Sequence, residues 1–173
     1  MTTAPVRSAI ESALGDRVVA EVPLSGGDVA TSMRVELASG ATVFAKSHPD
    51  PPPGFFSTEA ESLRWLRSSG SVNVPRVLAH GDDPPHLVLE WIDSGPTRPG
   101  TEARFGAQLA ELHRTAPGSF GRPDSRTTGS RRLPNDPAGS WAEFYATRRL
   151  VPLAGLAREA GALPTSTISS SCR

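Results

Sequence analysis

Up to Ile92 the chain reads as three strand-forming runs, one helix and two further strand runs, an order that fits an antiparallel sheet with one helix inserted between its third and fourth strands. The first three runs are Arg17-Val-Val-Ala-Glu-Val22, Thr31-Ser-Met-Arg-Val-Glu-Leu37 and Ala41-Thr-Val-Phe-Ala-Lys46, with Ala38-Ser-Gly40 as a hairpin turn between the last two. Pro49 and Pro51-Pro-Pro-Gly54 break the pattern ahead of a helix that carries Phe56, Leu63 and Leu66 on one side. Pro75-Arg-Val-Leu-Ala-His80 and His86-Leu-Val-Leu-Glu-Trp-Ile92 complete the set, joined by the turn Gly81-Asp-Asp-Pro-Pro85. A short helix around Val6, Ile10, Ala13 and Leu14, stopped by Gly15, precedes them all.

Beyond Ile92 the pattern changes. Asp93-Ser-Gly-Pro-Thr-Arg-Pro-Gly100 reads as a linker, and Phe105, Leu109 and Leu112 mark a helix ending near His113-Arg114. The polar stretch from Thr115 to Gly139 is too long for a passive connection and is either a functional loop or disordered. Trp141, Phe144, Tyr145 and Leu150 predict another helix, and Leu153 to Leu163 a further one. The ending, Thr165-Ser-Thr-Ile-Ser-Ser-Ser-Cys-Arg173, is low in complexity. The expected organisation is therefore an α+β lobe over 1–93, a hinge or linker over 94–100, a partial helical lobe over 101–163 and a disordered tail over 164–173.

Charge narrows the partners. Lys+Arg and Asp+Glu balance at 18 each, so no electrostatic footprint for nucleic acid or an anionic membrane stands out, and a small neutral-to-anionic ligand is the easier partner. No apolar run approaches the roughly 18 residues of a membrane span, and Met1-Thr-Thr-Ala-Pro-Val-Arg7 lacks the basic start and apolar stretch of a secretory signal; the expectation is cytoplasmic. The single cysteine, Cys172, can make neither an internal disulfide nor, alone, a metal site.

The chemistry-bearing residues lie within the strand-and-helix part. The turn Ser25-Gly26-Gly27-Asp28 lets backbone N–H groups come close to phosphate oxygens, although a Gly-Gly pair by itself is most often a plain hairpin turn. Lys46 closes the third strand and could be no more than an edge-strand charge. Glu59 gives it a second reading: it stands three residues after Phe56 and four before Leu63, on the stripe that faces the core, where a charge is costly unless paired. A lysine on the neighbouring strand supplies the partner and could hold the α and β phosphates of ATP, which points to a kinase-type nucleotide site. Glu61 projects from another face and forms a Thr-x-x-Glu capping box with Thr58; Pro53 as the first helical residue would keep Glu59 out of the first turn. Backbone groups of Glu90 and Ile92, where the last strand runs into the linker, could pair with an adenine edge, with Leu89 and Trp91 adding apolar surface; a core strand followed by a turn reads equally well. His80-Gly81-Asp82 is a strand-end turn: the residue five after Asp82 is Leu87, whereas small-molecule kinases of the aminoglycoside type carry Asn there, and the tripeptide precedes the linker.

Taken together, residues from about Pro23 to Leu163 resemble the fructosamine kinase (ketosamine kinase) family, relatives of the aminoglycoside phosphotransferases within the protein-kinase-like fold. The resemblance rests on Pro23-Leu-Ser-Gly-Gly-Asp28, Phe44-Ala-Lys-Ser-His-Pro49, Pro53-Gly-Phe-Phe-Ser-Thr-Glu-Ala-Glu-Ser-Leu-Arg-Trp-Leu66, Val74-Pro-Arg-Val-Leu78 and Leu87-Val-Leu-Glu-Trp-Ile92. It continues through Leu109-Ala-Glu-Leu-His-Arg114, Phe120-Gly121 and Trp141-Ala-Glu-Phe-Tyr-Ala-Thr-Arg-Arg-Leu150. It implies a five-stranded antiparallel sheet plus helix followed by a helical lobe, ATP with Mg²⁺, and phosphorylation of the sugar hydroxyl of a ketosamine, either a small fructosyl-amine or a glycated protein. It also implies Lys46 on the ATP phosphates, Glu59 anchoring Lys46, Glu90 to Ile92 on adenine, and the segment from Phe120 through Trp141 bordering the sugar-amine site.

One departure stands out. The catalytic loop and metal-binding Asp of the family have no counterpart, since Asp124, Asn135 and Asp136 stand in the wrong spacing, so no catalytic or metal residue is assigned and little turnover is expected. The C-terminal side reads as truncated, with apolar helix faces left open to self-association. An aminoglycoside- or choline-type phosphotransferase and a noncatalytic nucleotide-binding or interaction module remain the alternatives.

Overall fold

The structure, a computed structural model, describes residues 2–25, 29–115, 118–122, 126–128 and 131–163. Gly26, Gly27 and the tail over 164–173 lie outside them. The chain divides into two compact units, Met1–Thr115 and Ala116–Arg173, so the division follows the helix of Thr101–Arg114.

In the first unit, α1 (Ala4–Leu14) leads into β1 (Val18–Leu24), β2 (Thr31–Leu37), β3 (Thr42–Ser47), α2 (Phe55–Ser68), β4 (Val77–Asp82), β5 (Pro85–Glu90) and α3 (Thr101–Arg114). The five strands form one antiparallel sheet, as the sequence pattern predicts, in the spatial order β1-β2-β3-β5-β4. Alternation along each strand divides the apolar residues between the two faces. Val43 and Ala45 join Met33, Val35, Leu37 and Val88 in a cluster that α1 closes with Val6 and Ile10. Leu87 and Leu89 turn the other way and meet Phe56 and Ala60 of α2, with Phe44 against them. Each large side chain so buried contributes about 1.5–3 kcal/mol, and both faces of the sheet are thereby tied to a helix.

The start of α2 corrects one detail of the sequence reading. Gly54, at φ 74°, is the residue before the helix, a left-handed conformation that glycine adopts without a Cβ penalty, so Pro53 is not the first helical residue. Thr58 and Glu61 then lie inside the helix rather than capping it, and Glu59 falls in the second turn. The turn at Ala38-Ser-Gly40 forms as expected, with the Gly40 N–H donating to Leu37 O at 2.9 Å.

The second unit carries β6 (Arg126–Thr128) and β7 (Arg131–Leu133), an antiparallel pair, and a bridge between Phe120 and Ala138. The polar stretch before Ser140 thus contains ordered structure. Ser140 caps α4 (Trp141–Tyr145), its Oγ accepting from the Glu143 N–H at 3.2 Å. A π-helical turn (Ala146–Leu150) leads directly into α5 (Val151–Glu159), so the two helices expected from the sequence are one continuous helical run. Pro152 accounts for the wide turn: it has no N–H for the Arg148 carbonyl, which instead accepts from Arg149 Nη1 at 2.9 Å, and the Val151 N–H reaches back to Ala146 O. Arg149 also donates to Pro134 O at 2.7 Å and Asn135 Oδ1 at 2.8 Å, with its guanidinium 4.7 Å from the Phe144 ring centre.

Candidate nucleotide site

Register decides which side chains share the face that carries Lys46. Pairing runs Leu24, Ser32, Lys46, Leu87 in one row across β1, β2, β3 and β5, and Val22, Arg34, Phe44, Leu89 in the next. Directly opposed residues point to the same side of a sheet, so all eight lie on the α2 face. The helix contacts β4 and β5. Leu87 and Leu89 disappear beneath it, while Val22, at the far end of its row, stays 45% exposed. The half of this face over β1, β2 and β3 is the more open one, and Lys46 stands at the border between covered and open.

There the predicted pair forms. Lys46 Nζ donates to Glu59 Oε1 at 2.7 Å, with the two side chains 27% and 30% exposed. Glu59 is one turn on from the buried Phe56 and next to the buried Ala60, so partial burial removes water from one side of the carboxylate and the ammonium replaces it. Among the described residues Glu59 is the only hydrogen-bond partner that the Lys46 ammonium, which carries three donors, meets.

The end of β5 is held by Arg76, the residue just before β4. The Glu90 N–H donates to Arg76 O at 2.9 Å, and Glu90 Oε2 accepts from Arg76 N at 3.1 Å and Nε at 3.2 Å. The Arg76 amide above all, with its guanidinium, holds the Glu90 carboxyl below the usual carboxylate range. Ile92 lies beyond the last paired residue of β5, with its side chain 57% exposed. Between them, Trp91 Nε1 donates to Asp93 Oδ1 at 2.8 Å, and the Arg34 guanidinium carbon lies 5.5 Å from the Trp91 ring centre.

His80, Gly81 and Asp82 are the last three residues of β4, paired with Leu87, His86 and Pro85, which agrees with a strand end and not a catalytic loop. Among the described residues no group of three His, Cys, Asp or Glu gathers in one place, so these residues do not by themselves form a cage for Mg²⁺. No described helix is long and apolar enough to cross a membrane. Arg34 and Val22 escaped the sequence reading, although counting outward from Lys46 by twos across the β2–β3 hairpin would have put Arg34 beside it.

The sequence profile of the fructosamine kinase family matches residues 2–171. The chain belongs to the fructosamine kinase family. A Thermus thermophilus protein named "Probable ketoamine kinase" is 36% identical over 132 residues, 76% of this chain and 46% of the relative. The Arabidopsis thaliana chloroplastic protein-ribulosamine 3-kinase is 30% identical over 79% of this chain and 43% of its own length. A Thermobifida fusca structure solved under the name fructosamine-3-kinase superposes with a TM-score of 0.83 at 33% identity, over 95% of this chain and 57% of that one. The chain spans about half the length of the curated relatives it matches. The kinase-like fold expected from the sequence is thereby established.

Proposed function

We propose that this chain carries the nucleotide-holding part of an ATP-dependent kinase acting on the sugar hydroxyl of a ketosamine, a fructosyl-amine or a glycated protein. The observation that carries the reading is the 2.7 Å Lys46–Glu59 pair, set at the border of an open sheet face in a chain of this family. Lys46 would meet the α and β phosphates, its ammonium aimed by Glu59 and its charge only partly neutralised. The Glu90 N–H and carboxylate are committed to Arg76, so an adenine edge would meet the Glu90 carbonyl and, two residues on, the Ile92 N–H. Gly26 and Gly27, which lie outside the described residues, carry the backbone N–H groups that the sequence assigns to the phosphates. Mg²⁺ would supply charge neutralisation at the phosphates, and the described residues contain no cluster to hold it.

These 173 residues contain no Asp followed five positions later by Asn after the hinge, the spacing that would activate the acceptor hydroxyl and hold metal. These 173 residues are therefore expected to bind ATP weakly if at all and to give little turnover. The test combines ATP titration with a coupled ADP-release assay on a fructosyl-amine and Mg²⁺, each run beside Lys46→Ala. Binding lost in the variant supports the site, and substrate-dependent turnover lost in the variant would show a working kinase. Binding unaffected by Lys46→Ala would remove the nucleotide reading.

A further inference from the structure

The ladder of β5 ends at Glu90, and from Trp91 to Pro99 the chain has no regular secondary structure. Yet the reading above asks the Glu90 carbonyl and the Ile92 N–H, on either side of Trp91, to meet a purine edge, and hydrogen bonds to a flat ring tolerate only a few tenths of an ångström of misplacement. Something outside the ladder must fix this segment. The far end is tied to the next helix by the Arg98 N–H on Thr101 Oγ1; at the end next to the ladder, among the described residues, two side-chain contacts fall on Trp91: its own Nε1 to Asp93 Oδ1, a bond within the segment, and the guanidinium of Arg34, a contact that reaches from the sheet.

Arg34 is suited to that task. It belongs to the row Val22, Arg34, Phe44, Leu89, on the same face as Lys46, and its Nη1 is held by Glu36 Oε1 at 2.8 Å. A guanidinium is planar and stays charged, so one group can rest on an indole face and keep a carboxylate at its edge. With its side chain 37% exposed, Arg34 is not sealed in the core, and the contact lies at the open side of the sheet. Nothing in its position brings it to the phosphates: it is in the row next to Lys46, nearer the hinge.

We propose that Arg34 is a positioning residue for the base end of the nucleotide site, holding Trp91 and through it the Glu90–Ile92 edge at the height a purine requires. The inference rests on the nucleotide reading of Lys46 but assigns a different part of the ligand, so the two can fail separately. Lys46 acts on phosphate and Arg34 on the base.

The experiment measures binding of ATP, adenosine and inorganic tripolyphosphate by calorimetry to the unmodified chain, Arg34→Met, Arg34→Lys and Lys46→Met. Arg34→Met should weaken adenosine and ATP by about fivefold, the scale of a partly exposed cation–π contact, and leave tripolyphosphate unchanged. Arg34→Lys should recover part of the loss, because an ammonium keeps the charge but not the planar stack. Lys46→Met should do the reverse, weakening tripolyphosphate and sparing adenosine. In a Trp65→Phe, Trp141→Phe background, acrylamide quenching reports Trp91 alone, and Arg34→Met should raise it with no ligand present. Equal loss of adenosine and tripolyphosphate would make Arg34 a phosphate contact and overturn the proposal, as would unchanged quenching and unchanged adenosine affinity. If the unmodified chain binds none of the three probes, the nucleotide reading falls and this inference falls with it. Loss of tripolyphosphate binding in Lys46→Met with adenosine unaltered in Arg34→Met would sink only the role of Arg34.

Discussion

Removing either partner of the Lys46–Glu59 pair tests the geometry at the centre of the site without any ligand. The bond is short, 2.7 Å, but the side chains are 27% and 30% exposed, so water still screens the pair. Fully exposed pairs contribute about 0.2–1 kcal/mol and hydrogen bonds to charged groups about 1.5–3 kcal/mol when well desolvated. A pair about two-thirds covered belongs near the overlap, so a coupling of about 1 kcal/mol is expected. Urea denaturation of the unmodified chain, Lys46→Met, Glu59→Gln and the double variant closes the cycle. Each single change should cost about 1 kcal/mol, or about 2–4 °C in Tm, and the double variant should lose less than the sum because the second change removes a charge already stranded by the first. A coupling within about 0.3 kcal/mol of zero would refute the view that burial of Glu59 on the apolar stripe of α2 forces the pairing.

Three further outcomes follow from other parts of the molecule. Burial pushes the Glu21 carboxyl up, but hydrogen bonds from the Thr2 hydroxyl and amide and from Arg7 outweigh it and leave it below the usual carboxylate range. Its contribution is thus present above the unfolded carboxylate pKa and lost as pH falls through the lower folded value, so the gap in urea midpoint between the unmodified chain and Glu21→Gln should shrink on acidification; a pH-independent gap would contradict it. Gly121, at φ 103°, would place a Cβ 2.7 Å from Asn135 O and 2.8 Å from the Phe144 ring, so Gly121→Ala should destabilise the second unit by about 2–3 kcal/mol, read as lost near-ultraviolet circular dichroism of its aromatic residues at lower denaturant. Phe105 on α3, and Trp141, Tyr145, Leu150, Val151 and Leu153 in the second unit, are 40–57% exposed, so the chain should self-associate with rising concentration in light scattering, and Val151→Ser with Leu153→Ser should reduce it.

The sheet, its strand order in sequence and the pairing of Lys46 with Glu59 were legible before any coordinates, because they follow from local signals. Period-two apolar runs, Gly and Pro breaks, and one carboxylate on an apolar helix stripe each constrain the chain within a few residues. The strand end at His80-Gly81-Asp82 was legible for the same reason, since spacing alone separates it from a catalytic loop. The first residue of α2 was not: whether the helix begins at Pro53 or at Phe55 depends on the backbone angle of Gly54, and the structure makes that angle left-handed. Nor was the continuity of the last helical run, where Pro152 shifts the hydrogen-bond ladder by one residue instead of ending it. What tertiary structure alone decided is which strands lie side by side. Sequence order places β4 before β5, but β5 sits between β3 and β4, and that placement brings Leu87 beside Lys46 and Leu89 beside Phe44. The contact of Arg34 with Trp91, fifty-seven positions apart in the chain, has no local signal at all, because it exists only once β2, β3 and β5 are in register.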